Sequence, residues 1–366
     1  MRAELIYNAY AGRYVVRREL DAVIEYLECN GWETSIHETQ APLEATELAR
    51  RAAARGTDVV IAAGGDGTLN EVACGLVNTD TALGVLPVGT TNVWALQMRI
   101  PALNPLGLSA GLAKLAVDLE ERVDHPLPVK TYRSVLLDAA RVLVEGNTRA
   151  VDVGQANDRY FLMWAGVGLD AAVTASVSPD EKKALGPWAF VGSALDVVRE
   201  YKSAEVRLVL DGQVRKVNAS LIVASNIQLY AGLVALGARA RVDDGKLDVC
   251  IFKGEGLFNY VQYIIKVAAG LHLSEGTVSI SREAKRPISV SREAKRPIMT
   301  ARQHLQDPQI EYHQCQELAV ASSTPLPVHA DDEPFAETPV TIRVVPGALR
   351  VILPQDAPRD LFAGGQ

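Results

Sequence analysis

Asp58–Ala63 (DVVIAA) reads as a continuous apolar strand that passes straight into Gly64-Gly65-Asp66-Gly67-Thr68, with helix-forming residues resuming at Leu69. A strand without polar alternation is buried on both faces, which calls for a parallel sheet with helices on either side. The surrounding sequence supplies the rest of such a unit. Ala3–Tyr7 and Glu33–His37 read as strands, and Ala82–Pro87 as another buried one. Arg17–Asn30 carries Leu20, Val23, Ile24 and Leu27 at helical spacing and stops at Asn30-Gly31. Pro42–Arg55 and Leu69–Val77 read as helices. Strands separated by helices imply right-handed crossovers, so residues 1–125 are expected to form a parallel α/β domain.

The texture changes beyond Asp124-His125-Pro126. Short alternating strands are expected at Ser134–Leu137, Arg141–Val144, Arg149–Val153, Tyr160–Trp164, Val206–Leu210, Val217–Val223, Leu247–Phe252 and Ile342–Val345. Asp211-Gly212 and Asp244-Gly245 supply hairpin turns between them. Such a pattern predicts an antiparallel sandwich or barrel over residues 126–345. The close of the chain, about 346–366, is free to return to the first domain. A length of 366 residues agrees with two domains.

Composition narrows the setting. Hydrophobic residues make up 48% and charged residues 22%, which excludes disordered and fibrous classes. A net charge of -7 excludes a general nucleic-acid surface, so an anionic partner must meet a local basic patch. Cys29, Cys74, Cys250 and Cys315 show no CxxC spacing, and neither a zinc site nor a disulfide framework is expected. The N-terminus has no secretory pattern and Gly256–Leu273 is broken by polar residues, so a cytoplasmic protein is expected. Ser281–Ile288 recurs identically as Ser291–Ile298, and Ser281–Ile298 holds six basic and two acidic residues. This segment reads as a duplicated surface loop or as a basic lip for anionic lipid.

The chemistry is concentrated in two glycine-bearing turns that follow buried strands. Glycines let backbone approach a polyphosphate, and free N–H groups at a helix start favour anions. Asp66 would repel phosphate unless a metal or proton bridges them, which points to Mg²⁺. Pro87-Val88-Gly89-Thr90-Thr91-Asn92 is the second turn, and Asn8–Gly12 makes a third. Ligands of open parallel sheets bind beyond the strands' carboxyl ends, where all three would converge on a nucleotide. The six histidines show no ligand spacing, and no G-x-S-x-G elbow supports hydrolysis. Trp164, Trp188 and Phe190 read as core residues or as walls of an acyl pocket.

Gly64–Val72 (GGDGTLNEV) and Gly89–Asn92 (GTTN) resemble the diacylglycerol kinase catalytic family, which includes bacterial diacylglycerol kinases, sphingosine kinases and related lipid kinases. Asn8-Ala9-Tyr10-Ala11-Gly12, Arg149–Gly154, Arg241–Asp248 and Pro346–Val351 extend the resemblance over nearly the whole chain. It implies an NAD-kinase-like α/β domain with a parallel sheet, followed by a β-sandwich domain. ATP would be held by Asn8, Thr39, Gly64, Gly65, Asp66, Gly67, Thr68, Asn70, Glu71, Gly89, Thr90 and Asn92. Asp244, with the backbone carbonyls of Arg241 and Lys246, would hold a structural Mg²⁺. Glu333 would be the general base, Asp66 the alternate base or metal-facing residue, and Asp152 the residue that orients the acceptor.

The reaction so implied moves the γ-phosphate of ATP to a lipid hydroxyl, with diacylglycerol first and a sphingoid base or other lipid alcohol second. Partners expected are a lipid drawn from a membrane, peripheral contact with that membrane at its inner face and a second copy of the chain in a homodimer; no nucleic acid is expected. The chain departs from the family pattern in three places. Ala9 replaces proline, Asp332 replaces glycine in the family's Asp-Gly-Glu, and about residues 271–302 are inserted. An NAD kinase would share the GGDGT turn but lack the Asp-x-Glu pair near the C-terminus. A non-catalytic lipid- or nucleotide-binding regulator is the reading that Asp332 invites.

Overall fold

The computed structural model describes residues 1–8, 17–89, 92–102, 132–176, 201–230, 234–254 and 308–364. Ala9–Gly12, Thr90, the hinge near 125, Trp188, Phe190, the inserted segment and its repeat lie outside them.

The first region follows the sequence pattern. Strands β1 (Arg2–Asn8), β2 (Glu33–Thr39), β3 (Val59–Gly64) and β4 (Ala82–Pro87) alternate with helices α1 (Arg17–Cys29), α2 (Glu44–Ala54), α3 (Asp66–Leu76) and α4 (Val93–Met98). They form a parallel sheet in the order β2-β1-β3-β4. Every residue of β3 and β4 is buried, as continuous apolar strands require.

Helix α5 (Tyr132–Glu145) comes next, and it overturns the expected strands Ser134–Leu137 and Arg141–Val144. Val135, Leu136, Ala139, Ala140 and Leu143 are buried at helical spacing, and the helix lies against α1 and β4. Period 3.6 over a long window prevailed where two short windows had resembled alternation.

The second region is antiparallel. It contains β5 (Asn147–Ala156), β6 (Arg159–Phe161), β7 (Trp164–Gly168), helix α6 (Leu169–Ser176), β8 (Ala204–Leu210), β9 (Gln213–Ser225), β10 (Leu229–Tyr230) and β11 (Val234–Ala235). It continues with β12 (Leu247–Lys253), β13 (Ile310–Cys315), β14 (Glu317–Ser322), β15 (Pro327–Ala330), β16 (Glu333–Glu337) and β17 (Val340–Leu353). The predicted strand Tyr160–Trp164 is broken at Leu162-Met163 into β6 and β7. The cause is a side chain that takes the backbone N–H groups there, described below.

Strand β17 joins the two regions into one sheet. Its first half pairs antiparallel with β14, while Arg350 and Val351 pair parallel with Ala82 and Leu83 of β4. The order therefore runs β16-β15-β7-β9-β8-β14-β17-β4-β3-β1-β2, with β5 and β12 branching from β17 and β9. The fold is thus a mixed parallel and antiparallel sheet with a β-sandwich-like second part. Alternation splits that part's apolar residues. Ala165, Val167, Ile222, Ala224 and Ile342 fill one core, whereas Trp164, Leu221, Val223 and Cys250 face the core shared with the first region. Among the described residues, no helix is long and apolar enough to cross a membrane.

Candidate active site

Two turns build the floor. Val88 and Gly89 N–H groups donate to the Gly64 carbonyl at 3.1 and 3.2 Å, so the turn after β3 lies against the turn after β4. A methyl on Gly89 would stand 2.3 Å from the Gly65 Cα, so no side chain fits between them. Asp66 opens α3, yet its carboxylate reaches across to α4. Val93 N–H donates to Oδ2 at 2.9 Å and Trp94 N–H to Oδ1 at 3.3 Å. Asp66 thereby satisfies two of the open N–H groups at the start of α4 and fastens both turns together. Asn92, buried, donates from Nδ2 to the Gly89 carbonyl at 2.9 Å. Asn8 and Thr39 pair in register at the ends of β1 and β2, with Thr39 buried.

The roof arrives from the second region. Asp331 and Asp332 are the two-residue turn between β15 and β16, with φ of 44° and 62°. Both lie in the left-handed region, as this hairpin class demands. An aspartate tolerates that conformation, so the turn closes without the glycine of the family pattern. Asp331 is buried, and its carboxylate accepts the N–H groups of Leu162, Met163 and Trp164 at 2.7, 2.9 and 3.0 Å. This is what interrupts the β6–β7 strand. Glu333, one residue past the turn, is delivered to the floor. Its Oε1 is the atom nearest a would-be Cβ on Gly67, at 3.7 Å.

The result is a concentration of acids. Burial pushes the Asp66 carboxyl up to about 7, helped by the charges of Asp332 and Asp331 and opposed by the Val93 and Trp94 N–H groups. Burial likewise pushes Asp331 up to about 7 against its three N–H donors. Glu71 is raised by burial and by Glu333. Cys74, beside Asn70 on α3, is pushed up to about 12, chiefly by burial and then by Asp331. Glu333 itself is in an ion pair with Arg159 of β6.

Of the residues expected here, Gly64, Gly65, Asp66, Gly67, Asn92 and Glu333 converge, and Thr68 and Asn70 are buried in α3 beside them. Two of the expected residues are engaged by backbone. The Glu71 carboxylate accepts the Leu43 and Ala45 N–H groups at the start of α2 and fastens that helix. Asp152 is buried and holds backbone donors as well. Gly245 and Gly347 N–H groups occupy its Oδ2 and Oδ1, each at 2.7 Å, and tie the Asp243–Gly245 turn to β17.

Asp244 lies in that turn, with Lys246 N–H donating to its Oδ1 at 3.1 Å. Its carboxyl is raised by burial, then by the charges of Asp248 and Asp152. Surplus negative charge near backbone carbonyls is a donor set suited to a hard divalent cation. Among the described residues, no three His, Cys, Asp or Glu side chains gather as a cage, so such a site would rest on Asp244 and carbonyls.

Sequence reading passed over several residues that shape this site. Asn226, fully buried, donates from Nδ2 to the carbonyls of Asp152 and Leu162 at 2.9 and 3.0 Å. His329, also fully buried, meets Asp170 Oδ2 at 2.5 Å through Nε2. Desolvation would lower the His329 pKa, but Asp170 outweighs it and the net direction is up. Arg159 went unnoticed too. Only its place directly after the Asn157-Asp158 turn signal, on a strand next to the motif-bearing regions, could have flagged it.

Residues 2–123 match the diacylglycerol kinase catalytic domain, and residues 164–302 and 294–353 match the YegS C-terminal NAD kinase beta sandwich-like domain. A diacylglycerol kinase of Bacillus subtilis (strain 168) is 31% identical over 276 residues, covering 75% of this chain and 81% of that protein. One of Staphylococcus aureus (strain JH9) is 26% identical over 357 residues, covering 97% and 93%. A crystal structure from Bacillus anthracis str. Sterne is similar with a TM-score of 0.69 at 22% identity, covering 97% of this chain and 96% of that one.

Proposed function

This chain belongs to the diacylglycerol kinase catalytic family of lipid kinases, and on that premise we propose that it moves the γ-phosphoryl group of ATP to the free hydroxyl of diacylglycerol, yielding phosphatidic acid. The observation that carries this reading is the position of Glu333 against Gly67. A carboxylate from the antiparallel region there meets a glycine turn built for phosphate.

The ATP phosphates lie on the Gly64–Thr68 turn, where the open N–H groups of α3 favour anions. Gly89 and Asn92 hold that turn from beside it, and Thr39 and Asn8 line the ends of β1 and β2. The lipid oxygen forms its bond to the γ-phosphorus as the bond to ADP breaks, and Glu333 takes the hydroxyl proton. Asp66 is held by two N–H donors, which fits an organising role better than that of first base. Mg²⁺ accompanying ATP would neutralise charge on the phosphates, and a structural Mg²⁺ would be held by Asp244 with the carbonyls of Arg241 and Lys246. Because acyl chains reside in a bilayer, the protein meets its substrate by peripheral membrane docking.

The test is a panel of lipid alcohols in mixed micelles with γ-labelled ATP. Diacylglycerol is expected to give the highest kcat/KM. Preference for a sphingoid base or another alcohol would move the acceptor, and no labelled lipid from any alcohol would favour a regulatory binding protein.

A further inference from the structure

We propose that Arg159 is a catalytic residue that alternates between Glu333 and the phosphoryl group in flight. This rests on the reading of Glu333 and the glycine turn given above. Asp66, Asp331, Asp332 and Glu333 gather where a triphosphate must come to rest, and anions repel anions in a partly buried site. A cation has to enter. Arg159 already stands there, paired with Glu333, and its charge is felt by Glu71 and Cys74 of α3.

The pairing has a chemical cost. Glu333 Oε2 accepts a guanidinium N–H, so a lipid hydroxyl must compete with Arg159 for that oxygen. Arg159 and Glu333 are therefore mutually occupied in the ligand-free protein. A phosphoryl group on the glycine turn offers the guanidinium a geometrically matched and more highly charged acceptor. When Arg159 turns to it, one movement frees the base and neutralises charge on the transferring group. The balance is that of the transfer itself: the hydroxyl proton goes to Glu333 and then to solvent, and Arg159 only donates hydrogen bonds. The Arg159 guanidinium carbon lies 5.7 Å from the Phe335 ring centroid, a contact that guides the side chain through the change. Arg159 is 26% exposed and Glu333 41%, so neither is locked in a core.

The experiment compares wild type, Arg159→Ala and Arg159→Lys in the full chain. Transfer to diacylglycerol is measured first, then the affinity for ADP with and without aluminium fluoride as a phosphoryl mimic. For Arg159→Ala, kcat is expected to fall about 10²–10³-fold, the range for losing a donor to developing charge, with lipid KM nearly unchanged. Added guanidinium should restore part of the rate. Arg159→Lys should fold normally yet recover little, because an ammonium lacks the fork. Aluminium fluoride should tighten ADP binding in wild type and not in Arg159→Ala. Equal tightening in both proteins, a kcat close to wild type, or a loss that guanidinium leaves untouched would overturn the role of Arg159. Absence of labelled lipid with wild type contradicts the acceptor instead, and the mimic then still decides on Arg159.

Discussion

The Gly64–Thr68 turn and the Asp331–Glu333 turn face each other at Gly67, but they are made by opposite means. The first removes side chains. Gly65 and Gly89 touch through their backbones, and Asp66 pins the arrangement from the edge. The second adds side chains. Asp331 gathers three N–H groups from Leu162–Trp164, and two left-handed aspartates turn the chain so that Glu333 points at the first turn. The difference teaches where each half of the chemistry comes from. On the proposed reading, phosphate binding draws on open backbone near a helix start, whereas proton transfer draws on a carboxylate carried in from a separate, independently braced layer.

The largest expected effect comes from closing the gap in the first turn. Gly89→Val would put carbon 2.3 Å from the Gly65 Cα, so the two turns must separate. A displacement of this kind is expected to lower the transfer rate about 100-fold and to weaken nucleotide binding, as steady-state kinetics and calorimetry would record. Unchanged kinetics would break the claim that this contact matters. Next is the brace of the second turn. Asp331→Ala leaves three buried N–H groups without an acceptor, and denaturant unfolding is expected to show a loss of roughly 2–4 kcal/mol.

Another effect depends on pH. The Asp66 carboxyl sits at about 7 in the folded chain against an ordinary value of 3.8. Between those values the folded chain keeps a proton that the unfolded chain has released, so this group's contribution to stability is lost as pH rises. Asp66→Asn removes that titration. The variant should gain stability relative to wild type as pH rises from 4 towards 7, with a constant difference above, measured by unfolding at several pH values. The smallest effect sharpens the comparison itself. Asp332→Gly relieves a left-handed residue and one like charge while loosening the unfolded chain, so stability should rise by no more than about 1 kcal/mol.

The first turn was legible because its parts are contiguous. An apolar strand, glycines and a helix start stand in sequence from Val59 to Leu76, and local residues determine all three. The second turn was legible only in its acids. That Asp331 would be braced by Leu162–Trp164, and so split a strand, depends on contacts across some 170 positions, which no local pattern carries. Helix α5 failed for a related reason: its buried face is set by β4 and α1, and short windows concealed its period. Glu71 and Asp152 carried family-motif positions, yet their carboxylates are spent on backbone N–H groups that only the folded chain brings within reach. Arg159 has no motif at all; its meaning lies in Glu333, 174 positions away.

The central claim is that these two turns form one reaction centre with Glu333 as its base. Glu333→Gln tests it most directly, read by single-turnover transfer from γ-labelled ATP to diacylglycerol beside the affinity for a non-hydrolysable ATP analogue. The account predicts a rate lower by about 10²–10⁴-fold, the usual weight of a general base, with analogue affinity essentially that of wild type. Transfer at the wild-type rate by Glu333→Gln would contradict it.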